Sequence, residues 1–224
     1  MQDRLIEGGE ALLLPETKVE SRLGIVLTAG AEWKRSPILD SSGVRQVDSS
    51  GKIIYGQRLV PILEGQLRSM VAFRGLTCGN INGLIIVGGA LKHGRPEADI
   101  YRDYLLPCAV RKGIDPNSLM VIKGGRNTDS DLELVRRLLV ESNYRGTLAI
   151  YSSGYHLVTR PVIEFVKRLK CQATLERVEE DSTYRRIAQR IFTPAYIAKQ
   201  EERYHRRDYF PSRIRRVAAH LLRG

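Results

Sequence analysis

Residues 150–161 read IYSSGYHLVTRP, and Ser152, Ser153, His156 and Arg160 bring hydroxyl, imidazole and guanidinium groups into one short stretch. An imidazole changes charge near neutrality, so it can exchange a proton with a reacting group. A guanidinium makes charge-assisted hydrogen bonds to phosphate or carboxylate. The same residues also suit an ordinary turn whose histidine caps or lies on the surface. The residues that end the other apolar runs bear on the choice.

Those runs define the framework. GIVLTAG (24–30), GLIIVGG (83–89), SLMVIKGG (118–125), TLAIYSSG (147–154) and CQATLERV (171–178) read as strands. Most are near-continuously apolar, as strands covered on both faces must be. Helical patterns lie between them at 56–75, 96–113, 127–143 and 161–170. This alternation predicts an α/β fold: a Rossmann-like, doubly wound, mostly parallel sheet of about five strands with helices on both faces. Pro96 and Pro161 fall where first helical turns begin, and Asn127 is placed as an N-cap. Pro107 predicts a kink or two shorter helices. The last run alternates apolar Cys171, Ala173 and Leu175 with polar residues, which suits an edge strand.

In such sheets ligands bind beyond the carboxyl ends of the strands. The first four runs end in small, polar or glycine-rich residues: Gly30 after the first, Gly88 and Gly89 after the second, Gly124 and Gly125 after the third, Ser152 and Ser153 at the fourth. Backbone can approach a ligand closely at such positions. Asn127 and Thr128 open a helix, whose free N–H groups and dipole suit an anion. Arg126 and Arg160 would reinforce that preference. Glu97, in another first turn, is a candidate base or orienting group, or simply a favourable charge at the helix dipole. There is no GxGxxG, no GxxxxGK[ST], no GxSxG, and no acidic residue ending the second strand to hold a ribose. An ordinary dehydrogenase, P-loop enzyme or serine hydrolase is disfavoured.

The totals set further bounds. Three widely spaced cysteines and four unclustered histidines in 224 residues point away from a disulfide framework and a metal site, and towards a cytoplasmic protein. No segment reaches the roughly 18 apolar residues that span a bilayer. The net charge of +11 is uneven: residues 182–224 hold eleven Lys/Arg against three Asp/Glu, or +8, which leaves +3 for the other 181 residues. The chain thus divides into an N-terminal extension (1–23), the α/β domain (24–180) and a basic helical extension (181–224). Residues 31–55 form a long insertion, a lid or a surface decoration, with a small hairpin about Ser49-Ser50-Gly51. Trp33 is read as its anchor. Tyr184, Tyr196, Tyr204 and Tyr209 lie among arginines, so nucleic acid is an alternative partner for the basic C-terminus.

The order of the glycine-ended first strand, Gly88-Gly89, Glu97-Ala98, Asn127-Thr128, Tyr155-His156 and Arg160 resembles the YdcF-like family of bacterial proteins, which includes the SanA and ElyC proteins. The resemblance covers about Gly24 to Lys170. It assigns Arg58 to the family's arginine early in the following helix, and so to ligand binding. It departs at Arg160, four residues after the histidine rather than three, and at Asp131, where a second asparagine is common. The resemblance implies a Rossmann-like fold and S-adenosylmethionine as a candidate cofactor. The expectation is an enzyme that binds a small anionic or nucleotide-like ligand, with transferase or phosphate-ester hydrolase chemistry and no evident metal site. The alternative is a binding protein without turnover, a sensor or accessory subunit.

Overall fold

A buried parallel strand must satisfy its backbone through both neighbours while both of its faces stay apolar. Three strands meet this demand and two edge strands flank them in the computed structural model, which describes residues 21–38, 40, 44–125 and 127–208, with side chains undescribed at 36 and from 204 on. The first half contains β1 (Arg22–Leu27), β2 (Ala31–Pro37), β3 (Tyr55–Pro61), α1 (Leu63–Thr77), β4 (Gly83–Val87), and a two-residue pair, β5 (Leu91–Lys92) and β6 (Arg95–Pro96). After these come α2 (Glu97–Arg111), β7 (Leu119–Ile122), α3 (Thr128–Glu141), β8 (Thr147–Ser152), α4 (Gly154–Leu157) and α5 (Arg160–Arg168). The chain continues through β9 (Ala173–Arg177), α6 (Arg185–Ile191) and α7 (Pro194–Asp208).

The main sheet runs β7-β4-β1-β8-β9, and every pairing in it is parallel. Numbering only its own strands, the order is 3-2-1-4-5, the Rossmann arrangement, with the reversal between β1 and β8. Alternate residues serve two cores. Val26, Leu84, Ile86, Ala149 and Tyr151 pack against α1, α2 and α6. Ile25, Leu27, Ile85, Val87, Leu148 and Ile150 pack against α3 and α5. The fold is therefore α/β, Rossmann-like and parallel, with helices on both faces. β9 lies at the sheet edge, although Leu175 is exposed rather than turned inward.

The expected helix at 56–75 is corrected. Residues 55–61 are β3, and the helix begins only at Leu63. Pro61 explains the boundary, because a proline disfavours helical backbone in the residue before it. β3 pairs antiparallel with β2, from Ala31↔Pro61 to Pro37↔Tyr55, so the insertion is a long hairpin. The smaller hairpin about Ser49-Ser50-Gly51 forms inside it, closed by a Val47↔Ile53 bridge and by Asp48 accepting from the amides of Ser50 and Lys52. Trp33 meets the His93 ring, with centroids 5.5 Å apart.

α2 runs unbroken through Pro107, against the expected kink or break. Pro107 cannot donate to the Asp103 carbonyl four residues back. Arg58, across the hairpin, does so instead: its Nη2 donates to Asp103 O at 2.6 Å. Replacing Arg58 with Ala should cost about 1 kcal/mol by stranding that carbonyl. In a Pro107→Ala background the restored N–H should absorb most of the loss, and paired urea titrations would show it.

Beyond residue 180 the chain returns to the first core. Tyr184, Ala188, Ile191, Phe192, Tyr196 and Ile197 all pack there. Among the described residues no helix is long and apolar enough to cross a membrane. The three cysteines are free.

Candidate functional site

The site begins with two residues on the sheet-facing stripe of α1. Glu64 and Arg68, one turn apart, share that stripe with Leu67, Val71 and Ala72, and all are buried. Arg68 is 1% exposed. Its guanidinium fills the crevice where the strand order reverses, bridging the carboxyl ends of β1 and β8. Nη1 donates to Leu27 O at 3.1 Å and Thr28 O at 3.4 Å, and Nε donates to Ser153 Oγ at 3.1 Å. Nη2 pairs with the Glu64 carboxylate and donates to the Tyr155 hydroxyl.

Glu64 is saturated in turn. It accepts from Ser153 Oγ at 2.5 Å, from the Tyr155 hydroxyl, and from Tyr196 of α7 at 2.5 Å. Burial works to raise its pKa, but Arg68 and the three hydroxyls outweigh burial and hold it at about 2. A buried ion pair is tolerated only when hydrogen bonds occupy the rest of both ions, and here they do. Tyr155, deprived of water and facing a carboxylate, keeps its proton far more firmly than a free tyrosine.

This pair sets the state of His156, which is 2% exposed. Its Nδ1 lies 3.2 Å from Arg68 Nη1 and 2.9 Å from Ser152 Oγ. A guanidinium can only donate, so Nδ1 accepts and the ring proton sits on Nε2. Burial, reinforced by the Arg68 charge and opposed by Glu64, pulls the pKa down to about 3. The ring is thus neutral at pH 7. It is a poor general base and a good hydrogen-bond donor, a form that can polarise an electron-rich group. Nε2 faces Thr128 Oγ1 at 3.4 Å.

On the β4 side a second set of groups converges. The N-terminus of α2 is tied to the end of β4 by Glu97 N donating to Ala90 O and Ala98 N to Gly88 O. Asp131, in the first turn of α3, accepts from Gly89 N at 3.0 Å. Burial raises its pKa to about 6; the Gly89 bond opposes this and the Glu97 charge adds to it. Glu97 is buried, with Lys92 Nζ 3.7 Å away. An added Cβ on Gly89 would lie 2.1 Å from Gly125 O and 2.3 Å from its N, so no side chain fits. Gly89→Ala should cost about 1–3 kcal/mol and separate Gly89 from Asp131. A denaturation curve, together with a further rise of the Asp131 pKa by NMR as the opposing Gly89 bond is lost, would register both effects.

The sequence-derived residues thus fall into groups. Ser152, Ser153, His156 and Thr128 come together, and Gly88, Gly89 and Glu97 lie beside them. The amides of Gly88 and Gly89 are not available to a phosphate, since they donate to Ile122 O and Asp131. Asn127 caps α3 reciprocally with Ser130, so its side chain already occupies a first-turn amide. The Gly30 carbonyl accepts from Tyr101 and from the Ile62 amide. Arg58 serves α2 through the Asp103 carbonyl and is not placed in a helix as the resemblance implied. Arg160 is exposed at the start of α5, and Arg126 lies outside the described residues. Among the described residues no group of three or more His, Cys, Asp or Glu could hold a metal ion.

Glu64, Arg68, Tyr196 and the proton-holding role of Asp131 escaped sequence reasoning. One signal was present for the first two. Helical periodicity puts an opposite-charge pair at i, i+4 on the apolar stripe of α1, where solvated charges do not belong.

Fold and site together define a Rossmann-like α/β protein with a buried polar cluster at its topological switch point. The chain matches no protein-family model, and no curated protein or solved structure matches it significantly.

Proposed function

We propose that the chain is an enzyme that binds a small nucleotide-like or anionic molecule beyond the carboxyl ends of β1, β4, β7 and β8. One observation carries the reading. Arg68 locks His156 in a neutral, Nε2-protonated form directly at the switch point, where this sheet order places ligands. In a transferase or hydrolase reaction His156 donates a hydrogen bond to the group that gains charge. Asp131, whose proton affinity lies near neutrality, is the residue suited to exchange a proton. Arg160 supplies positive charge near the approach. The likeness to the YdcF-like family supports this reading and makes S-adenosylmethionine the first ligand to try, with the β2–β3 hairpin as the candidate cover.

The test is a thermal-shift panel of S-adenosylmethionine, nucleotides, sugar phosphates and simple anions on the native chain, His156→Gln and Thr128→Val. A ligand at about a hundred times its Kd adds about 2.7 kcal/mol, or roughly 5–10 °C for a chain of this size. A shift that shrinks in both variants supports the site. One that persists in both places the ligand elsewhere. The burial of His156 favours a second reading, binding without turnover. Mass spectrometry of the incubated ligand separates the two, since only an enzyme yields product.

A further inference from the structure

Several arginines of the α/β domain are matched by acids. Arg22 pairs with Glu176, Arg74 with Asp181, Arg95 with Asp103, Arg136 and Arg137 with Glu133, and Arg177 with Glu180. Others, such as Arg35, Arg45, Arg145, Arg160 and Arg168, are exposed without an acidic partner among the described residues, and α6 gathers three such arginines on one short helix. Arg185, Arg186 and Arg190 are exposed, and among the described residues none has an acidic partner; the same holds for Lys199 of α7. Arg203 is exposed and contacts Gln200.

The placement of these charges follows from packing. Ala188 and Ile191 turn one side of α6 into the first core. At about 100° per residue, Arg185, Arg186 and Arg190 spread over an arc of about 140° on the opposite side. The fold does not need them there. Unpaired like charges on one short helix repel one another and weaken it. The sequence continues the bias, with Arg206, Arg207, Arg213, Arg215, Arg216 and Arg223, so ten of the eleven cations after residue 181 are arginine.

We propose that the exposed face of α6 and α7 binds nucleic acid through its phosphate backbone. Arginine is the cation whose planar fork matches a phosphate with two parallel hydrogen bonds. A membrane surface would ask for an apolar wedge beside the charges, yet Ile187 is the sole large apolar side chain exposed in residues 182–203. Base stacking is not the mode here, because Tyr184 and Tyr196 pack inward. Binding therefore depends on charge, discriminates little between sequences and is steeply sensitive to salt. The surface is independent of the strand-end site, so either can fail without the other.

Fluorescence anisotropy on the full chain tests this, using a labelled DNA duplex, a single-stranded RNA and vesicles of phosphatidylcholine with phosphatidylserine. Four phosphate contacts predict roughly a hundredfold loss of nucleic-acid affinity between about 50 and 200 mM salt. R185A/R186A/R190A should lower the log–log salt slope by about 2.7, at about 0.9 per contact. Its thermal midpoint should stay within about 2 °C of the native value, since the side chains are exposed. Three outcomes would overturn the proposal: no binding at low salt, an unchanged affinity and slope in that variant, or tighter binding to the vesicles than to either nucleic acid. Loss confined to R213A/R215A/R216A would overturn it as well, by moving the contact off α6.

Discussion

Replacing Arg68 with Met lowers the thermal midpoint by roughly 6–20 °C. The change leaves the Glu64 carboxylate in a dry site with hydroxyl donors but no cation. Removing one partner of a buried pair costs about 3–5 kcal/mol, and each kcal/mol is worth about 2–4 °C in a chain of this size. Several hydrogen bonds go with it, among them those to the Leu27 and Thr28 carbonyls at the end of β1. The double variant Glu64→Gln/Arg68→Met should be more stable than Arg68→Met alone. Gln still accepts from Ser153 and Tyr155 through its oxygen, its NH2 can donate to the Tyr196 hydroxyl, and no net charge stays buried. A double-mutant cycle should give a coupling of about 2 kcal/mol. An Arg68→Met protein melting within 2 °C of native would mean that the pair is solvated and that no dry ion pair anchors the site.

The second large effect is on the pH dependence of stability. Unfolded, His156 takes up a proton near 6.5; folded, it resists down to about 3. Between those values the unfolded state binds the extra proton, so the histidine makes stability fall as pH falls. Glu64 acts in the same direction between 4.5 and about 2. Asp131 acts the other way. Its folded pKa, raised to about 6 from 3.8, makes the native state the proton binder in that interval, which favours folding on acidification. As a partly exposed group it offsets the histidine only in part. The difference in unfolding free energy between native protein and His156→Gln isolates the histidine. It should shrink by roughly 2 kcal/mol from pH 6.5 to 5, at about 1.4 kcal/mol per pH unit. Urea titrations at four pH values suffice. A difference constant from pH 7 to 4 would mean that His156 titrates like a solvated imidazole.

Much of the fold was legible in the sequence, because apolar runs covered on both faces leave a continuous pattern. All five strands of the sheet were read from that pattern, and so was the edge position of β9. Asn127 was legible as a cap since its chemistry is local: an amide oxygen three residues before a free N–H. The start of α1 was misread because QRLV suits a helix as well as a strand, and Pro61 was not given its weight as a boundary. Pro107 misled in the opposite direction. A kink is expected when the orphaned carbonyl has no donor, and the donor, Arg58, lies 45 residues away in sequence.

The site was legible only in part, for a related reason. Ser152, Ser153 and His156 sit within five residues of one another, so their convergence is a local matter. Which nitrogen of His156 carries the proton depends on Arg68, 88 residues away. Tyr196 joins the cluster from a helix that charge alone marked as an extension. At the expected phosphate cradle, the protein itself takes the Gly88 and Gly89 amides and the Asn127 side chain. Asp131 takes the Gly89 amide and Ser130 completes the Asn127 cap. Glycine-rich strand ends mark where a backbone can approach closely. They do not say whether a ligand or another part of the chain makes the approach.

If Arg68 fixes His156 as a neutral Nε2–H donor at the switch point, the ring's own nitrogen signals must show it. Histidine-selective 15N NMR reads them, with signals assigned through His156→Gln and recorded from pH 8 to 4. The expected pattern is that of a neutral ring protonated at Nε2, unchanged across that range, and perturbed by whichever compound stabilises the native chain in the thermal screen. A His156 signal that titrates near 6.5, or one that carries its proton on Nδ1, would contradict it.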